Sequence, residues 1–211
     1  MFLRNILPEN TTTEVTNILD KINQRRSKEN YYIGSWGKSS SFLFKTNDTI
    51  FNELSSQFIK IINLLKNYVL EILKFGNNKM RKFLEKYNSS DFLSIYPTVC
   101  FNFLDKSVDE NRILHIHPDK EDTGTSLIFY FGKFKGGAIS FPELNFKLMV
   151  QSADVLLFDG KNNLHAVESL HGKDDVRYSV VFFAHKADLG KTSYPMNRGE
   201  VMKGIKNKIN N

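Results

Sequence analysis

The chain is poor in cysteine, tryptophan, histidine and proline: one Cys, one Trp, five His and five Pro in 211 residues. A single thiol, Cys100, excludes an intramolecular disulfide and any zinc site built on several thiolates. A metal centre would have to be assembled from imidazoles and carboxylates. No run approaches the roughly 18 apolar residues that a membrane-spanning helix needs. The first residues, Met1–Asn10, lack the apolar core of a signal peptide, so an intracellular setting, nucleus or cytoplasm, is expected. With 41% hydrophobic and 25% charged residues, the composition is that of a folded chain rather than a disordered one.

What is present divides into two textures. The first half has helical periodicity. Thr11 and Glu14 have the spacing of a capping box ahead of Val15, Ile18, Leu19 and Ile22, which predicts an amphipathic helix running to about Arg26. A longer helix is predicted from about Asn52 to Lys74, with Phe58, Ile61, Ile62, Leu65, Val69, Leu70 and Leu73 on its apolar face, stopped at Gly76-Asn77-Asn78. A short helix is expected over Met80–Tyr87, and short strands over Tyr31–Ser35 and Ser41–Lys45. After Phe92 come eight short apolar segments: 95–104, 112–117, 126–131, 138–141, 146–150, 154–158, 164–168 and 177–184. Such spacing suggests a sandwich or jelly roll. The chain is therefore expected to be α+β, a single domain: 1–92 mainly helical support, 93–186 the β-core and 187–211 a basic tail.

The net charge of +6 is unevenly spread. Lys60–Lys86 carries seven basic and two acidic residues, and Lys186–Asn211 six and two. The remainder is net acidic. Segments of this kind serve equally as solvated faces or as surfaces that follow a phosphate backbone.

Chemistry concentrates where a strand runs into a polar loop, at Leu114-His115-Ile116-His117-Pro118-Asp119. His117 and Asp119 form a His-x-Asp pair, and His165 follows later at the start of another strand. Two imidazoles and one carboxylate on one face of a metal leave adjacent positions open, the arrangement that suits Fe(II) holding a co-substrate and O2 together. Two other sets compete. His115, His117 and Glu121 could supply a cupin-type site, and His171 could replace His165. Further on, Arg177-Tyr178-Ser179 opens the last strand. A cation directed into an apolar barrel requires a counter-anion. Arg177 beside the hydroxyl of Ser179 suits the far carboxylate of a small dicarboxylic acid, for which 2-oxoglutarate is the natural candidate.

His-x-Asp, a distal His and Arg-x-Ser on eight short strands resemble the Fe(II)/2-oxoglutarate-dependent dioxygenases of double-stranded β-helix fold. More narrowly, Tyr96-Pro97-Thr98-Val99-Cys100-Phe101-Asn102, Phe129-Tyr130-Phe131-Gly132 and Phe182-Phe183-Ala184-His185 resemble the TET/JBP group, which oxidises the 5-methyl group of pyrimidines in DNA. The resemblance spans about Ile95 to Pro195. It implies iron on His117, Asp119 and His165, and 2-oxoglutarate on Arg177 and Ser179, with O2 as oxidant. It implies methylated duplex DNA as partner, with 5-methylcytosine or thymine flipped into the site. Arg112 and Phe183 would stack on the two faces of the base. Asp122 and His185 would read its edge, and Cys100 would stand near the methyl group. Two features depart from the family: Ser152-Ala153-Asp154 stands where relatives have Pro-Gly-Asp, and the loop Gly34–Ser41 lacks the Asn that relatives place against the base.

Competing functions remain. Gly136-Gly137-Ala138-Ile139-Ser140-Phe141 also resembles the prolyl-hydroxylase group, which would make the substrate a protein. An AlkB-like enzyme would carry a second Arg where Phe183 stands. A binding module without metal would not need the intact triad.

Overall fold

The structure is a computed structural model that describes residues 1–34, 49–76, 96, 98–105, 116–120 and 122–185. The segments expected over Ser41–Lys45, Met80–Tyr87 and most of 112–117 lie outside the described residues, as do Arg112, His115, Glu121 and the basic tail.

Helix α1 spans Glu9–Asn23 and buries Val15, Ile18, Leu19 and Ile22, the apolar positions expected of it. It begins earlier than the Thr11 capping box predicted. Pro8 is the residue before the first turn, with φ −56° and ψ 146° and no side-chain cap. Proline already holds a suitable φ and lacks an N–H that the first turn would leave unsatisfied. Thr11 is therefore inside the helix, its amide met by the Asn10 Oδ1 at 2.9 Å. Helix α2 spans Thr49–Gly76. Leu54, Phe58, Ile61, Ile62, Leu65, Val69, Ile72 and Leu73 are buried along it, whereas Leu70, expected on the apolar face, is exposed. No described helix is long and apolar enough to cross a membrane.

The strands are β1 (Phe2–Leu3), β2 (Asn30–Gly34), β3 (Thr98–Leu104), β4 (Asp122–Lys133), β5 (Ile139–Phe141), β6 (Phe146–Leu148), β7 (Val155–Phe158), β8 (Ala166–Val167) and β9 (Val176–His185). A six-stranded sheet has the order β1-β7-β4-β9-β3-β2, and a three-stranded sheet the order β6-β5-β8. Every pairing is antiparallel. Strand β1 has too few residues to leave a periodic signal. It is held against β7 with the terminal amine donating to the Leu157 carbonyl at 2.8 Å.

Alternation along the large sheet divides its two faces. Tyr31, Ile33, Val99, Phe101, Phe103, Leu127, Phe129, Phe131, Tyr178, Val180 and Phe182 form one core with the apolar faces of both helices. Each fully buried side chain of this size contributes roughly 1.5–3 kcal/mol relative to exposure. A second apolar cluster, Tyr130, Ile139, Phe141, Leu148, Val150 and Leu156, joins the two sheets. The result is the expected α+β arrangement: a double-stranded β-helix whose large sheet is backed by helices.

Candidate active site

The opposite face of the large sheet closes, with the small sheet, around a cavity of about 430 Å3. Tyr32, Cys100, Asn102, Ser126, Ile128, Tyr130, Arg177, Ser179, Val181 and Phe183 line it from the large sheet, and Ile139 and Val167 from the small one. These are the residues alternate to the helix-packed set, so the strand period that builds the core also builds the pocket.

His117 and His165 meet across an antiparallel bridge in which each amide donates to the other's carbonyl, at 3.0 and 3.1 Å. This places the two imidazoles 4.8 Å apart, centre to centre. Asp119 is anchored by its own amide, which donates to the Gly160 carbonyl at 2.9 Å. Its carboxylate oxygens stand 3.8 Å from His117 Nε2 and 3.5 Å from His165 Nε2. The three ligand atoms all lie within 4.8 Å of one another. They are too far apart for strong hydrogen bonds and close enough to share one ion. His165 Nδ1 lies 3.0 Å from the Asn163 carbonyl. A proton on Nδ1 satisfies that contact and leaves the Nε2 lone pair for a metal. Gly160 makes room for the carboxylate: a Cβ there would collide with Asp119 Oδ2. The donor set of two neutral imidazoles and a carboxylate fits a hard-to-borderline divalent ion such as Fe(II).

Arg177 is 4% exposed and also lines the cavity. Its guanidinium carbon lies 4.9 Å from the centre of the Tyr130 ring. Burial pulls the guanidinium below its usual range, and Tyr130 opposes that pull. Among the described residues, Arg177 Nε and the Tyr130 hydroxyl have no hydrogen-bond partner. Burial pushes the Tyr130 phenol up to about 12. A buried cation beside a buried, unsatisfied hydroxyl is costly unless an anion meets both, so this end of the cavity fits a carboxylate. Gly137, at φ +62°, gives the arginine stem its space, since a Cβ would stand 3.0 Å from Arg177 Cδ. Ser179 is buried one residue pair further along β9 and accepts from Asn102 Nδ2 at 3.2 Å.

Of the remaining expected residues, Cys100, Asp122 and Phe183 line the same cavity. Asp122 Oδ2 accepts from the Ser126 hydroxyl at 3.2 Å. Burial, and then the charge of Asp119, pushes the Asp122 carboxyl up to about 7. Burial pushes the Cys100 thiol up as well, which disfavours a reactive thiolate. On the backbone, His185 pairs with Asp122 across β4 and β9. Between Thr123 and Leu127 the ladder slips, a bulge of the kind found beside active sites. His171 is not in the His117–Asp119–His165 cluster; its amide is tied to Lys135 O at 2.9 Å.

Sequence reasoning gave no role to Tyr32, Asn102 or Tyr130. Strand alternation was the available signal: Asn102 is two residues from Cys100, and Tyr32 sits between the buried Tyr31 and Ile33. Of the basic stretch 60–86, Lys60, Lys66 and Lys74 are on α2 and the remainder lies outside the described residues. That helix packs on the other face of the sheet, and Lys60 and Lys74 pair with Glu14 and Glu71.

No family model matches the chain. It is 32% identical over 199 residues to Tet-like dioxygenase 1 of Naegleria gruberi, an alignment covering 92% of this chain and 61% of that protein. The solved structure of NgTET1 in complex with 5mC DNA superposes with a TM-score of 0.79 at 28% identity, over 96% of this chain and 79% of the other. The viral collagen prolyl hydroxylase of Paramecium bursaria Chlorella virus-1 shares the fold alone. Its TM-score is 0.52 at 14% identity, over 87% of this chain and 89% of the other. The chain is thus similar along nearly its whole length to a Tet-like dioxygenase, of which it spans about three fifths, and it shares the fold of the solved NgTET1 structure.

Proposed function

We propose that the chain is an Fe(II)/2-oxoglutarate-dependent dioxygenase that oxidises the 5-methyl group of a pyrimidine, 5-methylcytosine or thymine, in DNA. The base would be flipped into the cavity, and residues 1–211 would act as one dioxygenase domain. One observation carries the reaction class: a buried guanidinium without a hydrogen-bond partner at Nε opens into the same cavity as two imidazoles and a carboxylate. A 2-oxo dicarboxylic acid is the small molecule with an end for each. The choice of substrate is supported by the likeness to NgTET1, whose structure is a complex with 5mC DNA.

In this reading His117, Asp119 and His165 hold the iron, the histidines neutral and the aspartate ionised. Arg177 and Ser179 hold the far carboxylate of 2-oxoglutarate. Iron and 2-oxoglutarate, when bound, would supply the activation of O2 that an unreactive methyl group requires. The chain's own contribution is geometry and dryness. Ile128, Ile139, Phe158, Val167 and Val181 give the cavity apolar walls, which strengthen every charge interaction inside and keep water from competing. Phe183 would stack on one face of a flipped base and Arg112 on the other. Asp122 and His185, paired on the backbone across β4 and β9, would read its edge, and Cys100 would stand near the methyl group.

Two measurements test the reading. Anaerobic Fe(II) with 2-oxoglutarate should give a weak visible charge-transfer band that disappears in Asp119→Ala. Incubation with duplexes containing 5-methylcytosine or thymine should give hydroxymethyl, formyl or carboxyl products by mass spectrometry. Succinate formation stimulated only by a peptide would assign the enzyme to protein hydroxylation instead.

A further inference from the structure

Four polar side chains cross the large sheet along the cavity face and connect its two ends. Tyr32 on β2 stands opposite Cys100 on β3, and Asn102 on β3 stands opposite Ser179 on β9. All four line the cavity. Tyr32 and Cys100 are directly paired across β2 and β3 on the cavity face, and each influences the other's proton. The Cys100 thiol donates to Asn102 Oδ1 at 3.0 Å, and Asn102 Nδ2 donates to Ser179 Oγ at 3.2 Å. Tyr32 also sets its ring edge-on to Phe183, 6.5 Å between centres.

We propose that Tyr32, Cys100 and Asn102 form a proton-ordered relay that positions the Ser179 hydroxyl to donate to the far carboxylate of the co-substrate. The inference rests on the 2-oxoglutarate reading above and names positioning residues for that site. The reasoning is one of counting donors. A thiol has one proton, and its sulfur also accepts. The thiol proton is directed to Asn102, which presents its carbonyl there; in the relay, Tyr32 donates to the sulfur lone pair and fixes that direction. The amide's other end is then NH2, and it faces Ser179. Because Ser179 receives that bond, its own proton is left for an anion beside Arg177. With the amide reversed, the serine proton would be consumed by the Asn102 carbonyl and a lone pair would confront the carboxylate. The order of protons thus begins beside Phe183, at the end of the cavity proposed for substrate, and finishes at the co-substrate.

The test is a titration of the anaerobic Fe(II)-bound protein without DNA, followed by the visible band. Two probes are compared: 2-oxoglutarate and 2-oxopentanoate, which keeps the metal-chelating end and lacks the far carboxylate. Tyr32→Phe and Cys100→Ala should each weaken 2-oxoglutarate by about three- to ten-fold and leave 2-oxopentanoate unchanged. Cys100→Ser can both accept from Tyr32 and donate to Asn102, and should retain wild-type discrimination between the probes. In a Ser179→Ala background, Cys100→Ala should add nothing further. Equal weakening of both probes, or full additivity with Ser179→Ala, would overturn the relay. Wild-type protein that gives no band with either probe would overturn the underlying 2-oxoglutarate reading instead.

Discussion

The two faces of the large sheet are built from the same strands and are both buried, yet they are finished differently. On β9, Tyr178, Val180 and Phe182 join the helix-packed core, while Arg177, Ser179, Val181 and Phe183 line the cavity. The helix-packed face is closed: Phe101 meets Phe58 at 4.6 Å, and the Tyr178 hydroxyl donates to Asp20 at 2.7 Å. On the cavity face, among the described residues, Arg177 Nε and the Tyr130 hydroxyl have no partner; the helices also bury two unpartnered atoms, Thr12 Oγ1 and Gln57 Oε1, but neither belongs to a charged group. Burial alone therefore does not mark a core. The functional face is recognised by a charge, the Arg177 guanidinium, taken from water and not repaid within the protein.

The largest effect expected from this contrast is at Arg177. Arg177→Met should weaken 2-oxoglutarate by about 100-fold or more, because a charge-assisted grip on a carboxylate is removed from a dry site. The melting temperature of the ligand-free protein should hold or rise, since an uncompensated buried cation has been replaced by a hydrophobe. A large fall in melting temperature, measured calorimetrically, would mean that Arg177 belongs to the structural face after all.

The converse experiment is on the other face of the neighbouring strand. Phe101 is fully buried and packs on Phe58 of α2. Phe101→Ala should cost about 3–5 kcal/mol of stability, read from urea unfolding. The fraction that remains folded should bind 2-oxoglutarate with wild-type affinity. Loss of affinity in the folded fraction would show the two faces to be mechanically coupled.

Gly160 sharpens the comparison at the metal end. A methyl group there would press on Asp119 Oδ2. Gly160→Ala should lower metal affinity by about 10- to 100-fold, measured by competition with a chelator, with little change in the melting of metal-free protein. Unchanged metal affinity would mean that Asp119 can reach the ion from another rotamer.

These contrasts also explain what could be read in advance. His117, Asp119 and His165 were legible because a His-x-Asp pair and a strand-initial His have few other uses together, and because the bridge joining them is a simple antiparallel one. Arg177 and Ser179 were legible as polar residues interrupting an apolar strand. The start of α1 was misplaced because two caps competed within four residues, and proline's fixed φ outweighed the threonine hydroxyl. Tyr31 and Tyr32 are adjacent and chemically identical. Alternation says that they face opposite ways, but only the pairing of β2 with β3 decides that the outward one faces a cavity rather than solvent. Tyr130 was hidden for the same reason, in the apolar run of β4. The charge on α2 left two readings open: its described lysines lie on a helix across the sheet from the pocket, and the rest of the basic stretch lies outside the described residues.

The smallest effect is expected at Ala153, the departure from the family's Pro-Gly-Asp turn. Its φ is +70°, a conformation that costs a residue with a Cβ about 1–2 kcal/mol. Its methyl group is nevertheless buried at 3% exposure in the helix-packed core. Its backbone, with that of Asp154, holds Tyr130 of the cavity face by two hydrogen bonds, at 2.8 and 3.1 Å. Ala153→Gly relieves the strain but gives up a buried methyl, worth about 0.8 kcal/mol, and adds freedom to the unfolded chain, worth about 0.4–1 kcal/mol. The balance should lie within about 0.8 kcal/mol of zero by urea unfolding, with the affinity for 2-oxoglutarate unchanged because the same backbone bonds remain. A stability gain above about 1 kcal/mol would mean that the methyl group contributes little to the core. A loss of that size would mean that the left-handed turn is held by packing so tight that alanine is the better residue there, and the departure from the family would then be an adaptation of the helix-packed face alone.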